Sequence, residues 1–383
     1  MRKKHILAGR LIDGSGSPVQ KGACLVVEEG RIVGVAPQNQ QAYDNEAEKI
    51  DLRHCTLLPP LVDCSLSLGI SSATGVFGES RDKEQKHDSV KALRERHLQY
   101  CFSHGVLAVA DCSDERGFVR QFGSLRGAAK KISIHTATWL PDPRGEGTER
   151  SVSLADDFVR VACSADMSWS LADGSFPEAA DITALLGQVD AKKRIVVANG
   201  ERAVTEALKA GCGAVEQGVF MGTTNMSKMA ERGIVWIPCL LKLKTLADTA
   251  PSHAASLYKK AIKYQIDMLR QARSAGVKVV VGTAAGFAGI IHGESMHEEI
   301  KLLRAAGYPL VEALRCASIN GAEFLGIDDI GVLQKGGAAT FLVTRGTVQQ
   351  LPRKLGYLED IYIAGSSSDM YRKNPVKTVY GEK

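Results

Sequence analysis

From about residue 57 onward, apolar runs of strand length alternate with segments of helical period. The strand candidates are Leu61–Asp63, Val106–Ala110, Ile132–Ala137, Phe158–Ala162, Ile195–Ala198, Ala214–Glu216, Ile234–Pro238 and Val277–Gly282. Amphipathic helices are expected between many of them. Ala203, Val204, Ala207 and Leu208 share one helical face, as do Tyr258, Ile262, Ile266 and Leu269 on the longest helix. Gly105, Gly211, Gly233 and Gly276 each stand just ahead of a strand, where a helix ends in a left-handed residue. Near-continuous apolar strands alternating with helices describe a parallel sheet covered on its outside. A closed (β/α)8 barrel of the TIM type meets that count over about 250 residues.

The two chain ends read differently. Ile6 to Ile12 stops at Asp13-Gly14-Ser15-Gly16, and Ala23 to Val27 turns through Glu28-Glu29-Gly30 into Arg31 to Val35 as a hairpin. Strand character returns in Ala339 to Thr344 and Ile361 to Ala364. The expected α/β architecture is therefore a barrel over 58–327, with a small β-sandwich domain built from 1–57 plus 328–383.

Composition narrows the function classes. The chain has 383 residues, with 48 Lys plus Arg against 43 Asp plus Glu, and no long basic stretch, so nucleic acid is a poor partner. Its nine cysteines are scattered singly, a pattern of reduced thiols rather than of a disulfide framework or a zinc module. The basic start, Met1 to Arg10, lacks the apolar run of a signal peptide, and no segment approaches a membrane span. A cytoplasmic protein that does not engage a membrane is the expectation.

Chemistry in a TIM-type barrel gathers where the strands end. Those ends read Asp63-Cys64-Ser65-Leu66-Ser67, Val159-Arg160-Val161, Ala198-Asn199-Gly200, Glu216-Gln217-Gly218 and Gly282-Thr283-Ala284-Ala285-Gly286. The stretches "TLLPPLVDC" at 56–64, "ALKAGCGAVEQG" at 207–218, "MAERGIVWIP" at 229–238 and "ARSAGVKVVVGTAAG" at 272–286 resemble the amidohydrolase superfamily. So do "LLRAAGYPLVEALRCASINGAEFLGI" at 302–327 and "GVLQKGGAATFLV" at 331–343. The resemblance is to its imidazolonepropionase-like and Xaa-Pro-dipeptidase-like branch, and it runs in order along nearly the whole chain.

That resemblance implies a metal-dependent hydrolase, yet each position it assigns to the metal holds another residue. Ser65 and Ser67 stand where a His-x-His is expected, and Arg160 aligns with a strand-four lysine that is carboxylated in many members. Asn199 and Gln217 replace two further histidines, and Ala284 replaces the aspartate that handles protons. Pro60 and Thr340 depart from a usual Gly and Asp. Hydroxyls and neutral amides are weak ligands for zinc-like ions, and a guanidinium repels a cation. No cofactor is expected, and the catalytic residues are unknown. The former ligand positions become candidates for holding a polar or anionic small molecule.

Weaker candidates come from the same region. Cys64, with Cys163 and Cys239 at other strand ends, would form a thiol site only if the three converged. His292-x-Glu294 follows the last strand and is a candidate to face the pocket, while His297 opens a helix where it caps or is solvated. His135, Asp111 and Glu216 read as hydrogen-bonded scaffold, and Ser65 as a nucleophile lacks any evident base. The favoured reading is a non-catalytic amidohydrolase-like protein that binds a small molecule or a protein partner. The alternatives are a C–N hydrolase with a displaced metal site or metal-free chemistry, and a structural assembly subunit. Homo-oligomerisation is implied by the resemblance alone.

Overall fold

The computed structural model describes residues 3–40, 46–73, 83–112, 131–140, 157–164, 167, 182–187 and 189–371. Two sheets organise the chain. The first is built from both ends: β1 (Lys4–Leu11), β2 (Gln20–Glu28), β3 (Arg31–Pro37), β4 (Glu48–Leu58), β12 (Phe341–Arg345), β13 (Leu358–Ile363) and β14 (Ser366–Ser367). Its order is β14-β13-β12-β4-β1-β2-β3, antiparallel except for β1 on β4. Arg31, on the β3 edge, bridges to Ala338 just ahead of β12, so the sheet folds back toward its own middle. Ile6, Leu25, Ile32, Leu57, Phe341 and Val343 close a core of their own inside it.

The second sheet is parallel and contains β5 (Leu61–Leu66), β6 (Val106–Asp111), β7 (Ser133–Trp139), β8 (Phe158–Ala162), β9 (Arg194–Ala198), β10 (Ala214–Gln217) and β11 (Val235–Ile237). The predicted last strand, Val277–Gly282, carries only isolated bridges, but it completes the ring. Trp236 N–H donates to Lys278 O at 2.9 Å and Val280 N–H to Trp236 O at 3.0 Å. On its other side Cys64 N–H donates to Val281 O at 2.8 Å. The expected eight-stranded closure is therefore present, with its last member held by a sparse ladder.

A buried carboxyl clamps the same seam. Thr283 donates to Asp63 twice, through Oγ1 to Oδ2 at 2.6 Å and through its N–H to Oδ1 at 3.0 Å. Ser65 N–H also reaches Asp63 Oδ1, at 3.2 Å. Burial pushes the Asp63 carboxyl up to about 6, against the pull of these hydrogen bonds.

The helices follow the pattern of their apolar positions. They are α1 (Lys83–Ser103), α2 (Thr183–Leu186), α3 (Glu201–Lys209), α4 (Thr223–Arg232), α5 (Leu240–Thr249), α6 (Ser252–Ala275), α7 (Glu294–Ala305), α8 (Leu310–Cys316), α9 (Ile319–Leu325) and α10 (Leu351–Lys354). On α3 the buried residues are the predicted Ala203, Val204, Ala207 and Leu208. Gly233 and Gly276 close α4 and α6 in the left-handed conformation. On α6 the buried stripe is rotated from the expected one. Tyr258 and Leu269 are buried as predicted, but Ile262 and Ile266 are half-buried, and Ala261, Gln265 and Met268 take the inner face. No helix among the described residues is long and apolar enough to cross a membrane.

Close packing at the seam imposes one glycine. A Cβ on Gly282 would lie 2.5 Å from Ile237 Cγ2 and 2.8 Å from Ser65 Cβ. Neither neighbour is the free end of a long side chain, so the barrel must shift to admit a methyl. Gly282→Ala is expected to destabilise the fold by about 1–3 kcal/mol, measured by urea unfolding.

Candidate functional site at the barrel mouth

The strand ends converge on a cavity of about 170 Å³, lined by Ser65, Leu66, Ser67, Ile70, Cys112, Arg160, Glu216, Lys242, Ala284, Gly286 and Phe287. Its floor is an ion pair. Arg160 grips Glu216 with both arms, Nε to Oε2 and Nη2 to Oε1, each at 2.6 Å. Ser65 Oγ donates to the same Oε1 at 2.8 Å, and the Cys239 thiol points to it at 3.7 Å. The guanidinium carbon lies 4.1 Å from the centre of the Trp139 ring, whose Nε1 donates to Cys112 O at 3.0 Å. Arg160 is thus held between an aromatic face and a carboxylate, the two surfaces a planar cation prefers. Burial alone pulls the Arg160 pKa down, but the Glu216 charge and hydrogen bonds outweigh it and leave the group raised.

Asn199 and Gln217 form a second, neutral knot away from the cavity lining. Asn199 Nδ2 donates to Gln217 Oε1 at 2.7 Å, and Met167 N–H donates to that oxygen at 2.9 Å. Asn199 Oδ1 accepts from Val219 N–H at 3.0 Å. Gln217 itself has a left-handed backbone, φ 71°, and its carbonyl accepts from Trp236 Nε1 at 3.0 Å and from Gln265 Nε2 at 2.7 Å. Ala284 and Cys239 also leave their strands with positive φ, 56° and 48°. Non-glycine residues reach this region at a cost of order 1–2 kcal/mol each. Strain at barrel exits is what lets successive side chains turn toward one mouth.

The sequence-derived candidates therefore separate. Ser65, Ser67, Arg160 and Ala284 line the cavity together, whereas Asn199 and Gln217 bond each other behind it. Cys64 faces α9, where a Cβ on Gly321 would sit 3.1 Å from its Sγ, and burial drives its thiol pKa well up. Cys163 donates to Ala203 O, so the three thiols do not converge. His292 is turned to the Ser67 carbonyl and Glu294 is exposed at the start of α7, so that pair does not face the pocket. His297 is buried rather than solvated. Asp111 keeps its scaffold role, accepting from Leu68 N–H at 3.1 Å and pairing with Arg94 at 3.6 Å.

Glu216 is the main revision. It is scaffold in the sense that it holds Arg160, but it lies in the cavity floor, within hydrogen-bond reach of Ser65. Lys242, Phe287, Trp139 and Cys112 are further members with no motif to mark them. Lys242 Nζ sits 4.8 Å from the Phe287 ring centre. Burial pushes the Cys112 thiol up to about 12, so it is a packing group here rather than a nucleophile.

A divalent ion of the kind the resemblance implies does not fit these residues. The lining pairs hydroxyls with a guanidinium, and the one carboxylate already receives both arms of that guanidinium. Among the described residues no three His, Cys, Asp or Glu side chains are grouped to hold a metal.

The ion pair has a measurable consequence. Arg160→Met leaves Glu216 almost fully buried with no counter-charge and is expected to cost about 3–5 kcal/mol, whereas Arg160→Met with Glu216→Gln recovers most of that loss. Denaturant unfolding of the two variants and the wild type measures the difference.

Comparison with known proteins agrees with this architecture. Residues 220–379 match the family model for the amidohydrolase family. No curated protein matches the chain. Among solved structures, a Xaa-Pro dipeptidase with methionine bound in its active site superposes with a TM-score of 0.75 at 21% identity, over 96% of this chain and 99% of that one. A prolidase complexed with N-methylphosphonate-L-proline gives 0.75 at 19% identity over 96% and 99%. The ochratoxinase of A. niger gives 0.72 at 15% identity over 96% and 95%. The C-terminal part of the chain thus matches the amidohydrolase family model, and nearly its whole length shares the fold of these dipeptidase-, prolidase- and ochratoxinase-type structures.

Proposed function

We propose that this protein binds a small carboxylate-bearing molecule of amino-acid or dipeptide size at the barrel mouth, without metal-dependent hydrolysis. The observation that carries this reading is the bidentate Arg160–Glu216 pair in the cavity floor. It fills with an internal cation the place where the family fold presents ligands to an external one. Hydrolysis by the family route needs water activated by a metal, and the hydroxyls of Ser65 and Ser67, the guanidinium of Arg160 and the methyl of Ala284 supply neither ligand nor proton acceptor.

Charge and size support the ligand class. The lining carries two cations, Arg160 and Lys242, against one carboxylate, Glu216. Its net positive charge favours an anion. Ser65 and Ser67 provide hydroxyls for hydrogen bonding, and Ile70 and Phe287 provide an apolar wall. A cavity of about 170 Å³ suits a small metabolite. Methionine and N-methylphosphonate-L-proline are held by two proteins of the same fold.

A metal-free hydrolase is the second reading, favoured by one contact. Ser65 Oγ lies 2.8 Å from Glu216, the geometry of a nucleophile and its base. Against it, both Glu216 oxygens already accept from Arg160, so taking the Ser65 proton would break the buried ion pair.

The test is a calorimetric titration with L-methionine, N-acetyl-L-methionine and Met-Pro, in chelator, with the dipeptide also assayed for cleavage. Binding of at least one carboxylate compound, with at least tenfold weakening by Lys242→Met and no cleavage, is the expected result. Dipeptide turnover that disappears in Ser65→Ala would replace this reading with the second one. Turnover that appears only on adding a divalent metal would overturn both.

A further inference from the structure

Two stacked histidines stand directly behind the pocket wall. His97 of α1 and His292, two residues ahead of α7, lie with ring centres 3.7 Å apart and planes 12° from parallel, both buried. They address consecutive peptides of the segment that leaves β5. His292 Nε2 is 3.0 Å from Ser67 O, and His97 Nδ1 is 2.7 Å from Leu68 O. A carbonyl only accepts, so each ring donates an N–H and each is thereby fixed in one neutral tautomer. The same segment is pinned from other sides by Leu68 N–H on Asp111 Oδ1, Ser67 N–H on Ala285 O and Cys112 N–H on Leu66 O.

We propose that His97 and His292 are positioning residues that hold the Ser67–Leu68 segment, whose Ser67 lines the pocket, while both rings are neutral, and that protonation of the pair releases this segment. As regulation of the pocket, this rests on the binding role proposed above. The positioning itself does not.

The geometry gives the proton nowhere comfortable to go. The second nitrogen of His292, Nδ1, is buried with no hydrogen-bond partner, so a proton added there is unsolvated and unpaired. A proton on His97 as well sets two imidazolium charges face to face. The charged surroundings do not help. Arg96 bears on His97 with like charge, and Asp111, the nearby carboxylate, is paired with Arg94. Asp63 acts on Cys101 of α1, and it is itself raised by burial. Across the interface Glu294 bears on His104, while His104 and Lys301 bear on His297. Burial first, with the like charge of Arg96 on His97 and of His97 on His292, outweighs the hydrogen bonds to Leu68 and Ser67 and holds His97 down at about 4 and His292 at about 3.

The sign follows. In the open form each histidine titrates near its ordinary value of about 6.5. The closed form is therefore fully favoured above that pH. As the pH falls below about 6.5 the open form takes up protons that the closed form refuses. Opening becomes up to about tenfold easier per pH unit for each proton.

The test is hydrogen–deuterium exchange of the intact protein between pH 7.5 and 5.0, corrected for intrinsic exchange. Peptides covering 61–73 are expected to lose protection by at least tenfold over this range, while those of β1 and β2 keep theirs. His97→Asn combined with His292→Gln keeps an amide N–H near each donor position but does not titrate. It should hold protection at pH 7.5 and abolish the acid response. Unchanged wild-type protection at 61–73, or an acid response that persists in the variant, overturns the proposal. Should the variant not fold, proton NMR of the wild type decides it. Imidazole signals of the pair titrating above pH 6 with the fold intact contradict the proposal, and neutrality down to pH 5 supports it. No ligand enters these measurements, so their failure is distinct from failure of the binding role.

Discussion

The Arg160–Glu216 pair is the contact around which the barrel mouth is arranged. Glu216 is on β10 and Arg160 on β8, so their bidentate bond spans the strand β9 that lies between them. Neither charge is tenable alone at this depth, since an unpaired ion inside a protein is penalised by several kcal/mol. Each neighbour of the pair completes it. Trp139 covers the guanidinium face, Ser65 and Cys239 fill the remaining approach to Oε1, and Gly282 leaves room for Ser65 to stand where it does.

The neutral residues at the mouth follow the same logic of internal satisfaction. Asn199 donates to Gln217 Oε1, which also accepts from Met167 N–H, and Asn199 Oδ1 accepts from Val219 N–H, so these amide atoms are engaged within the protein. The left-handed turn at Gln217 persists because Trp236 and Gln265 both donate to its carbonyl. A backbone shaped to aim side chains at a central point here carries neutral amides bonded to one another and to backbone. Fold and reaction are separable in this way, because the barrel is stabilised by its layers and the chemistry by its loops.

Much of this was legible in the sequence, and the exceptions have physical causes. The alternation of apolar runs and helical stripes located the barrel strands and the composite origin of the chain-end sheet. Residues 48–54 of β4 were not evident as strand, because all of them are exposed or half-buried, and it is pairing with β1 that makes them a strand. The inner face of α6 was misjudged at Ile262 and Ile266 because Gln265, a polar residue, is buried there to serve the Gln217 carbonyl. Aligned positions identified Ser65, Ser67, Arg160 and Ala284 as neighbours. They did not identify the partner of Arg160, since Glu216 precedes the aligned position and its role depends on a contact 56 residues apart. The stacking of His97 on His292 was likewise invisible, being a meeting of α1 with the turn ahead of α7 across nearly the whole barrel sequence.

On the function proposed here, an internal guanidinium–carboxylate pair stands where an amidohydrolase-type barrel would hold a metal. Elemental analysis of protein purified without added metal and without chelator tests it most directly. The account predicts far less than one equivalent of zinc, iron, manganese, nickel or cobalt per chain. One or more equivalents of a single metal, retained through gel filtration and lost in the Glu216→Gln variant, would contradict it.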